Sequence, residues 1–274
     1  VTIDRQCGSS QQAISFAAHG VIAGAYDVVI AAGVESMGRV PMGSQVTPGS
    51  NPFGEGMDAR YPDGLVPQGI SAELIAAKWG FSRIQLDEFS AGSHEKAARA
   101  TKEGLFDNEL IPIAGLATDE FIRPGTTVQT LAGLRPAFYS DAMKARFPQI
   151  NWDITPGNSS PLSDGSAAVL ITSSEVAKKL GLRPLARIHT TTVVGSDPLY
   201  MLTGVIPATE KVLHRAGLTL ADIDLFEVNE AFAPVVLAWA QDVDREQTGI
   251  LERTNVNGGA IAIGHPLGAS GARI

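Results

Sequence analysis

The only cysteine among the 274 residues, Cys7, stands in the segment CGSSQQA, directly before an alanine-rich stretch. A thiol at the start of a helix is close to unpaired backbone N–H groups and to the positive end of the helix dipole, and both favour the thiolate. Gly8 next to it allows a substrate or a backbone segment to approach closely. The position indicates a nucleophile, and a small buried apolar residue is the alternative interpretation.

A nucleophilic cysteine needs a base, and His265 is the best placed of the five histidines. It stands between Gly264 and Pro266 in AIGHPLGASG, a turn predicted to follow a strand and to precede a helix. Such a turn holds an imidazole by its backbone geometry, so His265 is the expected base or charge partner. His19 lies on the same predicted helix as the cysteine, roughly 18 Å further along, which is too far. A histidine that serves only the turn is the alternative.

Two polar segments contain further candidates for the site of Cys7 and His265. Asn229, in EVNEAFAP, comes where a predicted buried strand ends and a helix begins. Its amide, or a water held by it, could stabilise an oxyanion beside a Cys–His pair, whereas an N-cap is the other role that asparagine takes at such a place. The turn Asn158-Ser159-Ser160 is either a ligand contact or a linker. GGAIAIG lacks the spacing of a dinucleotide fingerprint and the lysine of a phosphate loop.

Composition excludes several classes of protein. A content of 44% hydrophobic and 18% charged residues fits a compact globule. The net charge of −8 argues against binding to nucleic acid or to an anionic membrane. One cysteine forms no internal disulfide, so we expect a cytoplasmic protein. No Cys/His cluster has the spacing of metal ligands, so no metal is predicted.

The elements that must position these residues are strands and helices in alternation. Residues 1–33 predict a strand, a helix and a strand in a parallel sheet. Further strands are predicted from about Ala167 and over 185–195, 222–228 and 254–257, and further helices begin near Ser174 and in IPATEKVLHRAGL and EAFAPVVLAWAQ. Residues 37–161 differ in texture and predict an inserted subdomain with two helices, the second opened by a Ser82…Gln85 capping box and ended by Gly104.

Five segments occur in order along the chain and together resemble the thiolase family, of the acetyl-CoA acetyltransferase kind: CGSSQQA, VESMGRVPM, NSSPLSDGSAA, EVNEAFA and NVNGGAIAIGHPLGASGARI. The resemblance implies an α/β thiolase fold, five-layered αβαβα, of two related halves with an inserted loop domain that binds coenzyme A. It implies that residues 1–36 and 162–184 belong to the first half, 37–161 to the loop domain and 185–274 to the second half. It also implies a homodimer or homotetramer.

The resemblance implies a role for each site residue. Cys7 is acylated by acyl-CoA, His265 takes its proton, and Asn229 holds a water that forms an oxyanion hole with His265. The implied contacts with coenzyme A, a substrate rather than a cofactor, are Ser160 at the pantetheine arm, Arg123 at the nucleotide end, Ala231 and Phe232 along the tunnel, and Met201 beside the acyl pocket.

The implied activity is an acyl transfer through Cys7: condensation of two acetyl-CoA to acetoacetyl-CoA, or the reverse CoA-dependent thiolysis of a 3-ketoacyl-CoA, as in β-oxidation of fatty acids. A non-catalytic acyl-CoA-binding homologue and a ketoacyl synthase-like condensing enzyme are the alternatives.

The chain departs from the family pattern in two respects. Pro67-Gln68-Gly69 stands where many biosynthetic members carry His-Met before a glycine. The family's second catalytic cysteine belongs to a C-terminal glycine-rich segment outside this chain, as do the early strands and helices of the first half. The chain starts without Met and ends at a helix opening. We therefore expect an internal piece of a longer protein.

Overall fold

The structure, a computed structural model, describes residues 1–44 and 46–274. Its helices and strands follow in this order: α1 (Ser9–Ile22), β1 (Val28–Ser36), α2 (Gly54–Arg60), α3 (Gln68–Trp79), α4 (Arg83–Lys102), α5 (Val128–Ala132), α6 (Asp141–Arg146), β2 (Asp164–Thr172), α7 (Ser174–Lys179), α8 (Val205–Ala216), α9 (Ala233–Val243), α10 (Ala260–Ile263) and α11 (Leu267–Arg273). Within the described ranges, no helix combines the length and the apolar character that crossing a bilayer requires.

Two compact units make up the chain. The first consists of Val1–Gln45, Leu162–Thr191 and His265–Ile274, and the second of Val46–Pro161 and Thr192–Gly264. Residue 45 itself lies outside the described part. The boundaries of the two thiolase halves and of the loop domain stay a prediction, because a compact unit is not by itself a thiolase half.

The first unit is built on an antiparallel pair of strands, β1 and β2, with a register that runs from Val28 opposite Thr172 to Ser36 opposite Asp164. Side chains alternate between the two faces, as the pleat requires. One face buries Ala31 against the helices α1 and α11, which both pack on the strands. The sheet therefore carries the two helices that follow the predicted nucleophile and the predicted base.

The predicted parallel sheet over residues 1–33 is wrong. Residues 1–5 form neither strand nor helix, and β1 pairs with β2 in the antiparallel sense. A segment becomes a strand only when a neighbour hydrogen-bonds with its backbone, and the hydrophobic pattern does not identify that neighbour. The helix α1 and the strand β1 are confirmed, as is the strand predicted from about Ala167, which begins at Asp164.

Three other predicted strands are also wrong. Residues 185–195 form no strand, and the segments 222–228 and 254–257 share a single parallel bridge between Phe226 and Thr254. Apolar residues there are exposed, Leu185 fully and Leu225 by 58%. Their sequence pattern indicates burial that the described residues do not provide. The predicted helices α7, α8 and α9 are confirmed.

The second unit centres on α3 and α9, which pack against each other. Both helices are buried over most of their length, since neither has a polar face. Their core includes Ile75, Val235 and Ile261, the last from α10. The helix α4 packs against α9 and α10. The helices α3, α4, α9 and α10 therefore share one hydrophobic core.

The second predicted helix of the insertion is confirmed as α4, with both of its end signals. The Ser82 hydroxyl accepts from the Gln85 N–H, and the Gln85 side chain accepts from the Ser82 N–H. At the other end Gly104 takes the left-handed conformation with φ of 71°. The N–H of Leu105 reaches back to the carbonyl of Ala100, which closes the helix.

We expect Ser82→Ala to lower the free energy of unfolding by about 1 kcal/mol, because it removes the acceptor for the Gln85 N–H. Urea denaturation of the full-length protein measures the loss. Ser82→Thr is the matched control and should restore most of the difference, since threonine also caps helices. Equal stability of the alanine variant and the wild type would contradict this assignment.

Candidate active site

Cys7 lies in a short 3-10 turn, Gln6–Gly8, that leads directly into α1. Ser9 ties this turn together, because its hydroxyl accepts from the Arg5 N–H at 2.9 Å and donates to the Gln6 carbonyl at 2.7 Å. Gln6 has a φ of 44°, a left-handed conformation that a residue other than glycine rarely adopts. Backbone strain of this kind is concentrated at functional sites. The turn therefore presents the thiol on a strained and well-anchored backbone.

The Cys7 thiol is protonated at rest. Its position at the start of a helix had predicted a thiolate. Burial raises the pKa of Cys7 above its ordinary value of 9.0, and the negative charge of Glu35 adds to the effect. A hydrogen bond from the backbone N–H of Cys7 opposes both without overcoming burial. Cys7 therefore rests as a neutral thiol and needs a base to become a nucleophile.

His265 is held over the sheet of the first unit by the segment that follows it. Gly33 and Gly165 lie on the face of the sheet toward this segment, where a side chain would obstruct it. A Cβ on Gly165 would lie 2.7 Å from the Pro266 ring, and one on Gly33 would collide with the Gly268 carbonyl. The two glycines thus let α11 lie directly on the strands. The same helix packs against the turn that carries Cys7, so the helix that follows the predicted base lies next to the turn of the predicted nucleophile.

Two serines fix the orientation of His265. Its backbone N–H donates to the Ser163 hydroxyl at 3.0 Å. The ring Nδ1 lies 2.6 Å from the Ser270 hydroxyl oxygen, on the first turns of α11. That hydroxyl is also 3.1 Å from the carbonyl of Pro266. One ring nitrogen of the imidazole, Nδ1, is therefore hydrogen-bonded to the Ser270 hydroxyl.

Burial keeps the imidazole uncharged. His265 is 2% exposed, and burial lowers its pKa from 6.5 to about 4. Between these two values the unfolded chain takes up a proton that the folded chain does not, so the folded state loses stability as the pH falls from 6.5 towards 4. At neutral pH the ring has a free-base form that can accept a proton. The first unit thus combines a neutral thiol with a neutral imidazole.

Asn229 belongs to the second unit, on a half-buried segment between Val228 and Glu230. The N-cap alternative is excluded, because α9 begins at Ala233 with Phe232 at its N-cap. Asn229 therefore stands four residues before the helix. Its neighbours on both sides are hydrogen-bonded to Asn255. The Asn255 side chain therefore holds the backbone on either side of Asn229 in place.

Three of the residues predicted to contact coenzyme A meet in the second unit. The Ser160 N–H donates to the Ala231 carbonyl at 3.0 Å, and Ser159 forms an antiparallel bridge with Phe232. Asn158 anchors the turn: it is fully buried, and its side-chain amide donates to Asp87 and accepts from the Thr155 N–H. The structure thus joins the predicted pantetheine contact to the predicted tunnel residues.

The other two predicted contacts of the second unit are separate from that bridge. Arg123 is exposed, and its backbone N–H donates to the Nδ1 of His94 at 3.2 Å. His94 is 6% exposed, and burial together with the Arg123 charge lowers its pKa. Met201 begins a short 3-10 turn, and its carbonyl accepts from the Ser196 hydroxyl at 3.4 Å.

Sequence reasoning missed the residues that support the site. Ser163, Ser270 and Asn255 are polar, yet all three are nearly fully buried. Ser270 could have been found by its spacing from His265, because position i+5 starts the second turn of the helix that the histidine precedes. Asn255 carries no such local signal. Among the described residues, no group of three or more His, Cys, Asp or Glu side chains could hold a metal ion.

Comparison with known proteins agrees with the resemblance in the sequence. Residues 1–175 match the thiolase N-terminal domain family, and residues 182–274 match the thiolase C-terminal domain family. A steroid 3-ketoacyl-CoA thiolase, FadA6 of Mycobacterium tuberculosis, is 42% identical over 100% of this chain and 66% of its own length. A 3-ketoacyl-CoA thiolase of Aeromonas hydrophila is 45% identical over 100% of this chain and 69% of its own. The chain thus spans about two thirds of these relatives.

Solved structures give the same picture. The dimeric peroxisomal thiolase of Saccharomyces cerevisiae superposes with a TM-score of 0.87 at 38% identity, over 100% of this chain and 67% of that one. Human mitochondrial 3-ketoacyl-CoA thiolase in complex with CoA superposes with a TM-score of 0.83 at 37% identity, over 99% and 68%. The expected thiolase fold is confirmed.

We expect Glu35→Gln to lower the pKa of Cys7, because the carboxylate raises that pKa and the amide carries no charge. The amide oxygen can still accept from the Gly268 N–H, which Glu35 binds at 3.0 Å, so α11 should keep its place. The rate of iodoacetamide alkylation at Cys7, followed against pH by peptide mass spectrometry, should reach its midpoint at lower pH.

Glu175→Gln is the matched control, since this exposed carboxylate lies on α7 of the same unit. It should leave the alkylation profile where the wild type has it. A profile for Glu35→Gln that coincides with the wild type, or moves to higher pH, would show that Glu35 does not act on the thiol.

Proposed function

Because the chain belongs to the thiolase family, we propose that it transfers acyl groups between coenzyme A thioesters through an acyl-enzyme on Cys7. The reaction is the CoA-dependent thiolysis of a 3-ketoacyl-CoA, or the same reaction run backwards as a condensation of two acyl-CoA molecules. The observation that carries the proposal is the packing of α11, the helix that His265 precedes, against the turn that bears Cys7.

In the thiolysis direction His265 takes the proton of the Cys7 thiol, and the sulfur attacks the C3 carbonyl carbon of the substrate. The C2–C3 bond breaks, its electron pair stays on C2, and protonation of C2 releases acetyl-CoA. The acyl group remains on Cys7 as a thioester. The thiolate of a second CoA then attacks this thioester, so the acyl group leaves on CoA and Cys7 is regenerated. Proton transfer at C2 is the role of the family's second cysteine, which lies outside this chain.

The neutral resting pair suits this sequence of steps. A base must be unprotonated before attack, and the lowered pKa of His265 meets that condition at neutral pH. For the ring to accept at Nε2, Nδ1 must carry the other proton and needs an acceptor. The Ser270 hydroxyl supplies one at 2.6 Å while it can donate its own proton to the Pro266 carbonyl. The Nε2–H that results from this proton transfer can then donate to the oxyanion.

The proposed contacts with coenzyme A lie on the second unit. Ser160 would contact the pantetheine arm, with Ala231 and Phe232 along the tunnel, and Met201 would lie beside the acyl group. Arg123 is exposed while its backbone is held by His94, so its guanidinium is available to a phosphate. The human relative is a complex with CoA, which supports a CoA site in this family member.

Further parts of the proposal concern assembly and alternatives. The yeast relative is described as dimeric, which supports a homo-oligomer of the same kind. We propose a cytoplasmic location on the single cysteine. The names of the relatives favour a catalytically active thiolase over a non-catalytic acyl-CoA-binding homologue or a ketoacyl synthase-like enzyme.

We expect Cys7→Ala in the full-length protein to abolish the acyl-enzyme that forms when a 3-ketoacyl-CoA is added without CoA. Intact-mass spectrometry with a panel of chain lengths measures the adduct, and a spectrophotometric assay measures release of acetyl-CoA. The wild type should gain the mass of the acyl group and lose it when CoA is added. An adduct that persists in Cys7→Ala would move the nucleophile elsewhere, and a wild type that binds the panel without turnover would favour the non-catalytic homologue.

We expect Ser270→Ala to lower kcat on the order of tenfold to a hundredfold with little change in KM for CoA, because it leaves the base misoriented. Steady-state kinetics against pH measures the effect, and the acidic limb of the kcat profile should move. Ser15→Ala is the matched control: Ser15 is another buried serine of the first unit, and its hydroxyl makes the same bond to a carbonyl four residues earlier. Equal losses in both variants would assign Ser270 to packing.

A further inference from the structure

The segment that carries Asn229 is fastened on both sides by one residue. The Asn255 side chain accepts from the Val228 N–H at 2.8 Å and donates to the Val228 carbonyl at 2.8 Å. Its amide also donates to the Glu230 carboxylate at 2.9 Å. Asn255 is 2% exposed and has a φ of 47°, which asparagine tolerates better than other residues with a Cβ. It therefore grips the residue before Asn229 and the residue after it.

Glu230 collects donors from three parts of the second unit. Besides Asn255, it accepts from the Ser93 hydroxyl on α4 at 2.6 Å and from the Ile261 N–H at 3.2 Å. Ser93 in turn accepts from the Gly259 N–H at 3.1 Å. A Cβ on Gly259 would collide with the Glu230 carboxylate, so glycine is required at this close approach. The carboxylate thus connects α4, the Asn229 segment and the start of α10.

Both carboxylate oxygens of Glu230 act as hydrogen-bond acceptors in this network. All three of its partners donate, and Glu230 is 1% exposed. Burial raises the pKa of Glu230, and the hydrogen bonds from Ser93, Asn255 and Ile261 act in the opposite direction. An amide at this position would turn its NH₂ group toward at least one of the donors, which leaves buried groups unsatisfied.

We propose that Glu230 and Asn255 are positioning residues that hold Asn229 where its side chain, through a water, stabilises the oxyanion. This inference rests on the proposed function. Neither residue touches substrate in this role. Their effect is on the geometry of Asn229, and an error of about 1 Å in a catalytic group can cost on the order of a hundredfold in rate.

The experiment compares Glu230→Gln with the wild type in the full-length protein. Turnover is normalised to the number of active sites, counted as Cys7 acylated at saturation by intact-mass spectrometry. We expect Glu230→Gln to lower kcat per active site by about tenfold to a hundredfold, while KM for CoA stays within about twofold. A purely structural role would reduce the number of active sites and the Tm, but not the turnover of those that remain.

Asp244→Asn is the matched control. Asp244 is also buried, and its carboxylate also accepts from three donors, namely the N–H and hydroxyl of Thr248 and the N–H of Ile250. These bonds close the loop after α9 and do not involve the Asn229 segment. We expect this variant to lower Tm and to leave kcat per active site within about twofold of the wild type.

Ser93→Ala keeps the test open if Glu230→Gln does not fold. It removes one donor and leaves Asn255 in place, so we expect a smaller but measurable fall in kcat per active site. Wild-type turnover per site in Glu230→Gln, or in Ser93→Ala if only that variant folds, overturns the inference while the proposed function stands. A wild-type protein that forms no acyl-enzyme and shows no turnover overturns the proposed function itself.

Discussion

The proposed chemistry depends on the burial of one imidazole in the first unit. His265 is almost completely buried, so its ring stays uncharged at neutral pH, and the thiol of Cys7 is likewise held in its neutral form by burial. An ion pair at rest would place two charges in a site that disfavours both. In the proposed mechanism, charge therefore separates only when the substrate presents a carbonyl carbon for attack and an oxyanion forms.

The rest of the first unit serves this arrangement. The antiparallel strands β1 and β2 carry glycines where α11 packs on them, so no side chain obstructs the helix. The same helix contacts the turn of Cys7. Ser163 and Ser270 then orient His265 from its backbone and from its ring. In the second unit, buried polar side chains likewise hold the segment of Asn229, which lies outside the helices and strands.

Most helices could be predicted from the sequence, because their signals are local. The catalytic roles of Cys7, His265 and Asn229 stay predictions. The capping box of α4 and the glycine that ends it are read directly from residue types and spacing. Strand partners could not be predicted, because pairing depends on residues far apart, as between β1 and β2. The protonation of Cys7 also could not, since the helix start is visible in the sequence and the burial that outweighs it is not. Glu230 and Asn255 depend on contacts with a distant helix and loop for the same reason.

The protonation state of His265 is best measured by NMR of the protein labelled with ¹⁵N-histidine, with a His265→Asn variant to assign the resonances. We expect the ¹⁵N shifts of a neutral ring, protonated at Nδ1 and unprotonated at Nε2, from neutral pH down to about pH 5. Imidazolium shifts at pH 7, accompanied by a Cys7 thiolate, would contradict a neutral resting imidazole and thiol.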